Sequence, residues 1–540
     1  MKKRLLLALC CVCALALFAA CGGDNADEGA TPINIDGQTV TIAMNTGSEP
    51  ATGFDPAANW GCAEHCHEPL IQSTLVATDS DMNIVNDLAT EYGVSEDGLV
   101  WTFKIRDDVK FTDGEALTAS DVAFTFNTIK NSQNSELDLS MLETVTAVDD
   151  TTVEMTLNKP FNAFLYSVAV MGIVPEHAYD AATYPENPVG SGRYMLEQWD
   201  KGQQIILTAN PDYYGEAPNM QKVIVLFMEE DAALAAVKKG EVDIAFTSAI
   251  YSDQTIDGYK LVAMKSVDSR GISLPTQPAG NSKTEEGDIV YQVGNDVTSD
   301  LAVRQAMNYA VDREAMIDNV LNGYGTVAYT VADGMPWASP DMKVETNVKK
   351  AQQILADAGW RDQDNDGIVE KDGVKAEVNL YYSANDSVRQ AIAADFANQM
   401  KEIGIAVNYQ GASWDDIYPH QYADLVLWGW GSNSPAEMYN LYYSEGWGNY
   451  PCWYDDTVDG YLDAALATPT IEESYDYWHK AQWDGTNGQA PQGMATWVWF
   501  ANIDHLYFSR DGLDTGAQKL HPHGHGWSLV NNVDKWSWQL

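Results

Sequence analysis

The long apolar run of this chain lies at its start, and it constrains how the remaining residues fold. After the basic residues Lys2, Lys3 and Arg4, the stretch from Leu5 to Phe18 carries no charge. A membrane-spanning helix needs about 20 apolar residues, so this run favours a cleaved export signal over an uncleaved anchor. No second long apolar stretch follows residue 20. We therefore expect the rest of the chain to fold as a water-soluble body.

The small residues Ala19 and Ala20 precede Cys21 at the end of this run. Their order resembles the signal of bacterial lipoproteins, in which residues 1–20 are removed and Cys21 carries the lipid. The segment 21–37 is rich in Gly, Asp and Asn, which predicts a flexible tether. We expect an extracytoplasmic protein anchored to the cell membrane through Cys21.

Size and charge narrow the class of protein further. With 540 residues, of which 45% are hydrophobic, the chain is too long for one ordinary domain, and we expect two or three lobes. Its formal net charge of −47 disfavours nucleic acid and anionic lipid headgroups as partners. Beyond Cys21, the cysteines are Cys62, Cys66 and Cys452. Cys62 and Cys66 are close enough in sequence to form a disulfide or to remain thiols.

Periodicity predicts both strands and helices. Residues 39–44 and 100–105 alternate between apolar and polar side chains, as half-buried strands do. The Thr-x-x-Asp pattern at 118–121 predicts a helix start. Between Asp300 and Ile317, apolar residues recur every four positions, which predicts one helix. The mixture predicts an α/β protein.

The usual catalytic signatures are absent from the sequence. It contains no Gly-x-Ser-x-Gly elbow, no His-Glu-x-x-His pair and no phosphate-binding Gly-x-x-x-x-Gly-Lys-Ser/Thr loop. The sequence therefore predicts a protein that is not an enzyme and requires no cofactor.

An acidic segment resembles the first half of a calcium loop. Asp362, Asp364 and Asp366 alternate and are followed by Gly367, as oxygen ligands and a sharp bend require. Gly373 occupies the twelfth position, where a calcium loop has a bidentate acid. The alternative is a surface turn rich in Asp and Gly.

Histidines form two clusters. His65 and His67 flank Cys66, while His521, His523 and His525 alternate near the C-terminus. Imidazole and thiolate groups bind zinc, nickel or copper, so these residues are candidates for holding a metal ion or a metal chelate. The alternative is that they form hydrogen bonds across an interface between lobes and bind no metal.

Aromatic residues are dense between Trp414 and Tyr454. Tyr and Trp combine an apolar ring with a polar tip, which suits a pocket for varied organic groups, although core packing also uses them. Glycines beside Trp430 permit close backbone approach, so the segment 429–433 is the strongest ligand-binding candidate. The predicted ligand-binding residues in this region are Trp414, Trp428, Trp430, Ser432 and Asn433.

Several motifs in a fixed order resemble the extracellular solute-binding proteins of ABC importers for oligopeptides, dipeptides and nickel complexes (family 5). The resemblance extends from about Thr39 to Trp538. Its most specific segment runs from Leu88 to Val122 and includes Trp101-Thr102-Phe103-Lys104-Ile105 and Asp113-Gly114-Glu115. Further matches are Gly190-Ser191-Gly192-Arg193-Tyr194, Asn210-Pro211-Asp212-Tyr213-Tyr214-Gly215, Gly240-Glu241-Val242-Asp243, Val303-Arg304-Gln305-Ala306 and Ala310-Val311-Asp312-Arg313.

The resemblance implies a bilobed periplasmic-binding-protein-like fold with an additional domain and a hinge between the lobes. It assigns lobe I to 38–69, 181–275 and 506–540, the extra domain II to 70–180, and lobe III to 276–505. A ligand closed between the lobes would contact the 429–433 segment, with His65 and His67 nearby. Asn433 stands where peptide-binding members have an acid, and Leu427 where some have an arginine, which weakens binding through charged peptide termini.

The resemblance implies a monomeric, non-catalytic protein that captures a small peptide or related solute outside the membrane and delivers it to the subunits of an ABC permease. One alternative is the capture of a nickel or other metal chelate through the His and Cys clusters. A second is a metal-dependent surface hydrolase. A third is a receptor that binds the solute but passes the signal to a sensor.

Overall fold

The computed structural model describes residues 37–58, 61–62, 65–66, 68–132, 139–285, 289–523 and 526–539. The predicted signal, Cys21 and most of the tether lie outside this range, as do His67 and His525. For Cys62, His65 and Cys66 the structure describes the backbone alone. In the described residues, no helix has the length and apolar content to cross a membrane.

A seven-stranded sheet contains strands from both the N-terminal and the C-terminal parts of the described chain. Its strand Thr39–Met44 has the predicted bounds and pairs in parallel with both Lys222–Phe227 and Ile244–Thr247. Val40, Ile42 and Met44 are buried on one side of this strand, as the alternation predicts. The strands follow the spatial order Tyr194–Asp200, Gln204–Ala209, Lys222–Phe227, Thr39–Met44, Ile244–Thr247, His505–Arg510, Tyr259–Met264.

A six-stranded sheet forms the second large layer. Its strand Ser269–Ser273 lies between Leu425–Trp430 and Trp497–Ile503 and is buried along its whole length. The segment 181–275 was assigned to lobe I, but this strand joins the sheet built from lobe III residues. The chain therefore crosses between the sheets before Ser269. The spatial order is Gly325–Val327, Trp497–Ile503, Ser269–Ser273, Leu425–Trp430, Glu377–Ser383, Ala406–Ala412.

A four-stranded antiparallel sheet lies within the predicted domain II. Its strands follow the order Ala89–Val94, Val100–Ile105, Thr152–Leu157, Leu142–Asp149. The helix Ala119–Asn131 packs against it and begins as predicted, because Thr118 and Asp121 form a reciprocal capping box.

The predicted helix from Asp300 to Ile317 is two helices, Leu301–Ala310 and Arg313–Val320. The single-helix prediction is therefore wrong. Asp312 ends the run because its carboxylate accepts a hydrogen bond from the Ala315 amide at 2.9 Å and caps the second helix. The other α-helices are Phe164–Val168, Glu230–Lys239, Val348–Asp357, Ser387–Lys401, Trp414–Ile417, Ala436–Tyr442, Asp456–Leu466 and Ile471–Gln482.

Short hairpins complete the described strands. Gly61–Cys62 pairs with His65–Cys66, and Leu513–Asp514 pairs with Ser537–Trp538 near the C-terminus. The remaining pairs are Val76–Thr78 with Ile84–Asn86, Asn281–Glu285 with Ile289–Val293, and Glu370–Lys371 with Val374–Lys375.

Three stretches of chain meet where the two large sheets join. The first connects Met264 to Ser269, and the second connects Ile503 to His505. The third contains His521, whose backbone bonds to Lys265 and Val267 at 3.0 and 2.9 Å. This junction lies directly behind the candidate site.

Candidate ligand-binding site

A cavity of about 350 Å³ opens beside the carboxyl end of the strand Leu425–Trp430. Residues assigned to all three predicted lobes line it: Met171 and Phe161 from domain II, Trp430 and Glu437 from lobe III, and Lys519 from lobe I. Enclosure by separate parts of a chain is typical of small-molecule sites, whose volumes run from roughly 300 to 1,000 Å³.

Gly431 turns the chain from the buried strand into the cavity wall. Its φ is +147°, and a Cβ at this position would overlap the carbonyl oxygen of Val267. Only glycine fits this turn. Ser432 then accepts a hydrogen bond from the Ser434 amide at 3.1 Å, and the helix Ala436–Tyr442 begins two residues later. This short turn holds Ser432, Asn433 and Ser434 against the cavity.

Of the five predicted ligand-binding residues between 414 and 433, three line the cavity: Trp430, Ser432 and Asn433. Trp414 and Trp428 do not. Trp428 is buried behind the wall, stacks on Tyr450 at 4.1 Å between ring centroids, and donates its Nε1–H to Ser273 Oγ at 3.0 Å. Trp414 stacks on Trp428 at 5.5 Å. These two rings therefore belong to the packing that supports Trp430.

Four polar atoms of the residues that line the cavity have no hydrogen-bond partner within the described residues. They are the Nε1–H of Trp430, a donor, Oδ1 of Asn433 and of Asn531, both acceptors, and the Oγ of Ser528; all four atoms are buried. The amide nitrogen of Asn433 donates to the Leu520 carbonyl at 3.3 Å, which fixes the direction of the side chain. Because a buried polar group without a partner is costly, these atoms are suited to bonding with a solute.

A buried charge cluster supports the wall from behind. Arg270 forms an ion pair with Asp268, and rings of two histidines reach the same carboxylate: His523 Nδ1 at 2.5 Å and His505 Nε2 at 3.0 Å. Burial raises the pKa of Asp268, but Arg270 and His523 outweigh it and hold the pKa well below its usual range. Burial lowers the pKa of His523 despite the neighbouring carboxylate.

Gly429 is packed against this cluster. A Cβ on Gly429 would lie 2.5 Å from Arg389 Nη2, 2.7 Å from Arg270 Nη1 and 2.9 Å from His523 Cε1. The close backbone approach predicted beside Trp430 therefore occurs at Gly429, where side chains of the protein occupy the space. Arg389 in turn donates to Asp386 Oδ2 at 2.8 Å.

The predicted C-terminal histidine cluster has protein partners where the structure describes it. His521 is fully buried, with its Nδ1 3.1 Å from His505 Nδ1 and its Nε2 3.1 Å from Gln518 Oε1. His523 lines the cavity and contacts Asp268. His521 and His523 thus have the hydrogen-bond partners that the alternative interpretation expects, and metal binding by them stays untested. Metal binding that involves His65, His67 or His525 stays a prediction.

The predicted calcium segment forms a tight turn. Oxygens of Asp362, Asp364 and Glu370 lie within 4.8 Å of one another, the one such group found among the described residues. Asp366 is not a member. The ammonium of Lys375 instead contacts Asp366 and lies 2.9 Å from Asp364 Oδ2. This one cation offsets part of the negative charge of the turn, and calcium binding by Asp362, Asp364 and Asp366 stays a prediction.

Two further features of the cavity were not predicted from the sequence. Glu437 lines it from the first turn of the helix Ala436–Tyr442, four residues after Asn433. Lys519 forms an ion pair with Glu68, and both residues also line a second cavity of about 480 Å³.

Comparison with known proteins identifies the family. The family model described as "Bacterial extracellular solute-binding proteins, family 5 Middle" matches residues 83–451. Protein XP55 of Streptomyces lividans is 31% identical, with 93% of this chain and 91% of that protein aligned. Oligopeptide-binding protein AppA of Bacillus subtilis is 30% identical, over 82% of this chain and 83% of AppA.

Solved structures agree with the sequence relatives. The crystal structure of NikZ from Campylobacter jejuni in complex with Ni(L-His) superposes with a TM-score of 0.77 at 26% identity, covering 93% of this chain and 99% of NikZ. The predicted α/β, bilobed fold is thereby confirmed. This chain belongs to family 5 of the bacterial extracellular solute-binding proteins.

Proposed function

We propose that the chain captures a small peptide or a related solute outside the cytoplasmic membrane and delivers it to the permease of an ABC importer. The observation that carries the peptide assignment is the wall of the cavity. Among its polar atoms that have no partner in the described residues are a donor, Trp430 Nε1–H, and an acceptor, Asn433 Oδ1. Every peptide unit carries both complementary groups.

The size and lining of the cavity support a short solute. A volume of about 350 Å³ lies near the lower end of the range for small-molecule sites, roughly 300 to 1,000 Å³. Trp430 and Tyr439 supply aromatic surface, while Ser432 and Asn440 supply neutral polar groups. Such a mixture holds backbone groups and tolerates different side chains.

Position 427 offers no positive charge to a peptide carboxylate, because it is a leucine. Leu427 is fully buried in the core of the six-stranded sheet. We propose that the solute is bound without being converted, in keeping with the non-catalytic role implied by the family resemblance.

A metal chelate is the second candidate, favoured by one observation. His523 lines the cavity, and the superposable NikZ structure contains a nickel–histidine complex. In this version imidazole and aromatic groups would surround a chelated ion rather than a peptide backbone.

Differential scanning fluorimetry of the purified protein separates the two candidates. A pool of short peptides from a casein digest should raise the melting temperature, because a ligand that binds only the folded state stabilises it. Nickel chloride plus L-histidine should leave it unchanged. A rise with nickel and histidine together with no response to peptides would contradict the peptide assignment.

We also propose that Cys21 carries a lipid that anchors the mature protein to the cell membrane. Support comes from the order of residues 17–23, in which small residues precede the cysteine after an apolar run. A tethered binding protein would stay close to a membrane permease.

A further inference from the structure

The cavity contains a carboxylate for which the described chain provides no cation. Glu437 lines the cavity, and its two oxygens accept the Gly431 amide at 2.7 and 3.0 Å. The ion pairs between described residues do not include it; two cationic or titratable side chains of the lining, Lys519 and His523, pair with Glu68 and Asp268 instead. Lys159, the remaining cation of the lining, is exposed and lies over the ring of Tyr439 at 5.4 Å.

The electrostatic surroundings make a negative charge on Glu437 costly. Burial raises the pKa of Glu437 to about 8, and the negative charge of Asp268 adds to the rise, while the Gly431 amide opposes it. A buried carboxylate without a counter-charge binds a proton or a cation. The carboxyl group is therefore mainly protonated at neutral pH unless a cation lies beside it, and an incoming cation would displace that proton.

A second acceptor lies in the same wall. Asn433 Oδ1 is buried and has no partner in the described part of the chain, and it comes four residues before Glu437. The aromatic rings of Trp430 and Tyr439 also line this cavity. A carboxylate, an amide oxygen and aromatic faces together form the surroundings that bind an ammonium group.

We infer that Glu437, together with Asn433, binds an ammonium group of the solute, so that the protein selects solutes bearing a positively charged amine. This inference rests on the proposed function, because it concerns the same cavity. It also changes an expectation from the sequence, in which the neutral Asn433 weakened binding through a charged amine. Glu437, four residues further along the chain, instead supplies the negative charge that pairs with the amine.

Native mass spectrometry with two matched pools tests the inference. One pool is a casein digest of short peptides, and the other is the same digest after its amino groups have been acetylated. We expect the wild-type protein to retain peptides from the first pool and at least about tenfold fewer from the second, since a hydrogen bond to a charged group contributes about 1.5–3 kcal/mol. The Glu437→Gln variant should lose retention from the first pool by a similar factor.

A peptide identified in that experiment then serves for calorimetry. Titrations at pH 6 in buffers of different ionisation enthalpy should show release of close to one proton on binding to the wild type. Glu437→Gln should release none, whereas Glu445→Gln, which changes an exposed acid on the same segment, should behave like the wild type. Gln retains an acceptor for the Gly431 amide, so the variant should fold.

The outcomes distinguish the inference from the proposed function. Equal retention of free and acetylated peptides, or unchanged retention and proton release in Glu437→Gln, would overturn the role of Glu437 and leave peptide capture standing. A protonated Glu437 that donates to a solute carbonyl would give this result, because acetylation would not matter. Retention of nothing from either pool would overturn peptide capture itself, and the inference with it.

Discussion

Gly429 shows how closely the wall of the cavity depends on single residues. A methyl group there would overlap two guanidinium groups and an imidazole, all of them held in the buried charge cluster. We expect Gly429→Ala to lower the free energy of unfolding by about 1–3 kcal/mol, as overpacking does. Gly460 is the matched control, since it lies within the helix Asp456–Leu466 with nothing near its missing Cβ.

Gly460→Ala should instead raise stability by about 0.5–1 kcal/mol, because alanine favours a helix interior. Denaturant unfolding of both variants measures the two effects. If Gly429→Ala were as stable as Gly460→Ala, the packing of the charge cluster against the strand would be wrong.

The raised pKa of Glu437 predicts that the stability of the protein depends on pH. Its ordinary pKa is 4.5, and in the folded chain the pKa is about 8. Between these values the unfolded state binds fewer protons than the folded state, so stability falls as the pH rises. The Glu437→Gln variant does not lose stability in this way, because its amide does not titrate. Relative to the wild type, we expect the variant to gain stability on the order of 2–4 kcal/mol between pH 5 and pH 8.

The measurement is denaturant unfolding of the ligand-free proteins at pH 5, 6, 7 and 8. Glu445→Gln should keep a constant difference from the wild type over this range. A constant difference for Glu437→Gln as well would show that Glu437 is ionised in the folded chain throughout.

At the scale of helices and strands, the sequence predicts elements that depend on neighbouring residues. It does not predict which distant strands pair. The strand Thr39–Met44 and the helix start at Thr118 follow from alternation and capping, which depend on neighbouring residues. The strand Ser269–Ser273 has no comparable signal, because its burial comes from Leu425–Trp430 and Trp497–Ile503, which are more than 150 residues away. The break at Asp312 was overlooked because the apolar spacing continues across it.

The same distinction holds for the site. Trp430, Ser432 and Asn433 were predicted from one contiguous segment. The contact of His523 with Asp268 joins residues 255 positions apart, so no spacing in the sequence indicates it. Glu437 lies only four residues after Asn433, but the sequence does not show that it has no cation partner among the described residues.

Among the substitutions considered, we expect the largest effect on stability at Asp268, in the segment between Met264 and Ser269. Asp268 is buried and contacts Arg270, His505 and His523. Asp268→Asn leaves the Arg270 charge without its partner, and we expect it to lower the free energy of unfolding by about 3–5 kcal/mol. Glu91→Gln is the control, because it breaks an exposed pair with Lys104 that contributes under about 1 kcal/mol.

Chemical denaturation of Asp268→Asn and Glu91→Gln checks the comparison. Equal, small effects of both variants would mean that the charge cluster contributes little where the two sheets join.

At the scale of the whole molecule, the proposed anchor can be tested separately from ligand binding. Cells supplied with an alkyne fatty acid should label the wild-type protein and fractionate it with the membrane. Cys21→Ala should lose the label, while Cys62→Ala should keep it. Labelling of Cys21→Ala would contradict the proposed lipidation site.

The central claim is that this family 5 protein captures a short peptide in the cavity beside Trp430 and Asn433. The most direct measurement is a crystal structure of the protein grown with a casein digest of short peptides. We predict density for a peptide whose backbone bonds to Trp430 Nε1 and Asn433 Oδ1 and whose amine reaches Glu437. A metal chelate against His523, or a solute bound outside this cavity, would contradict the claim.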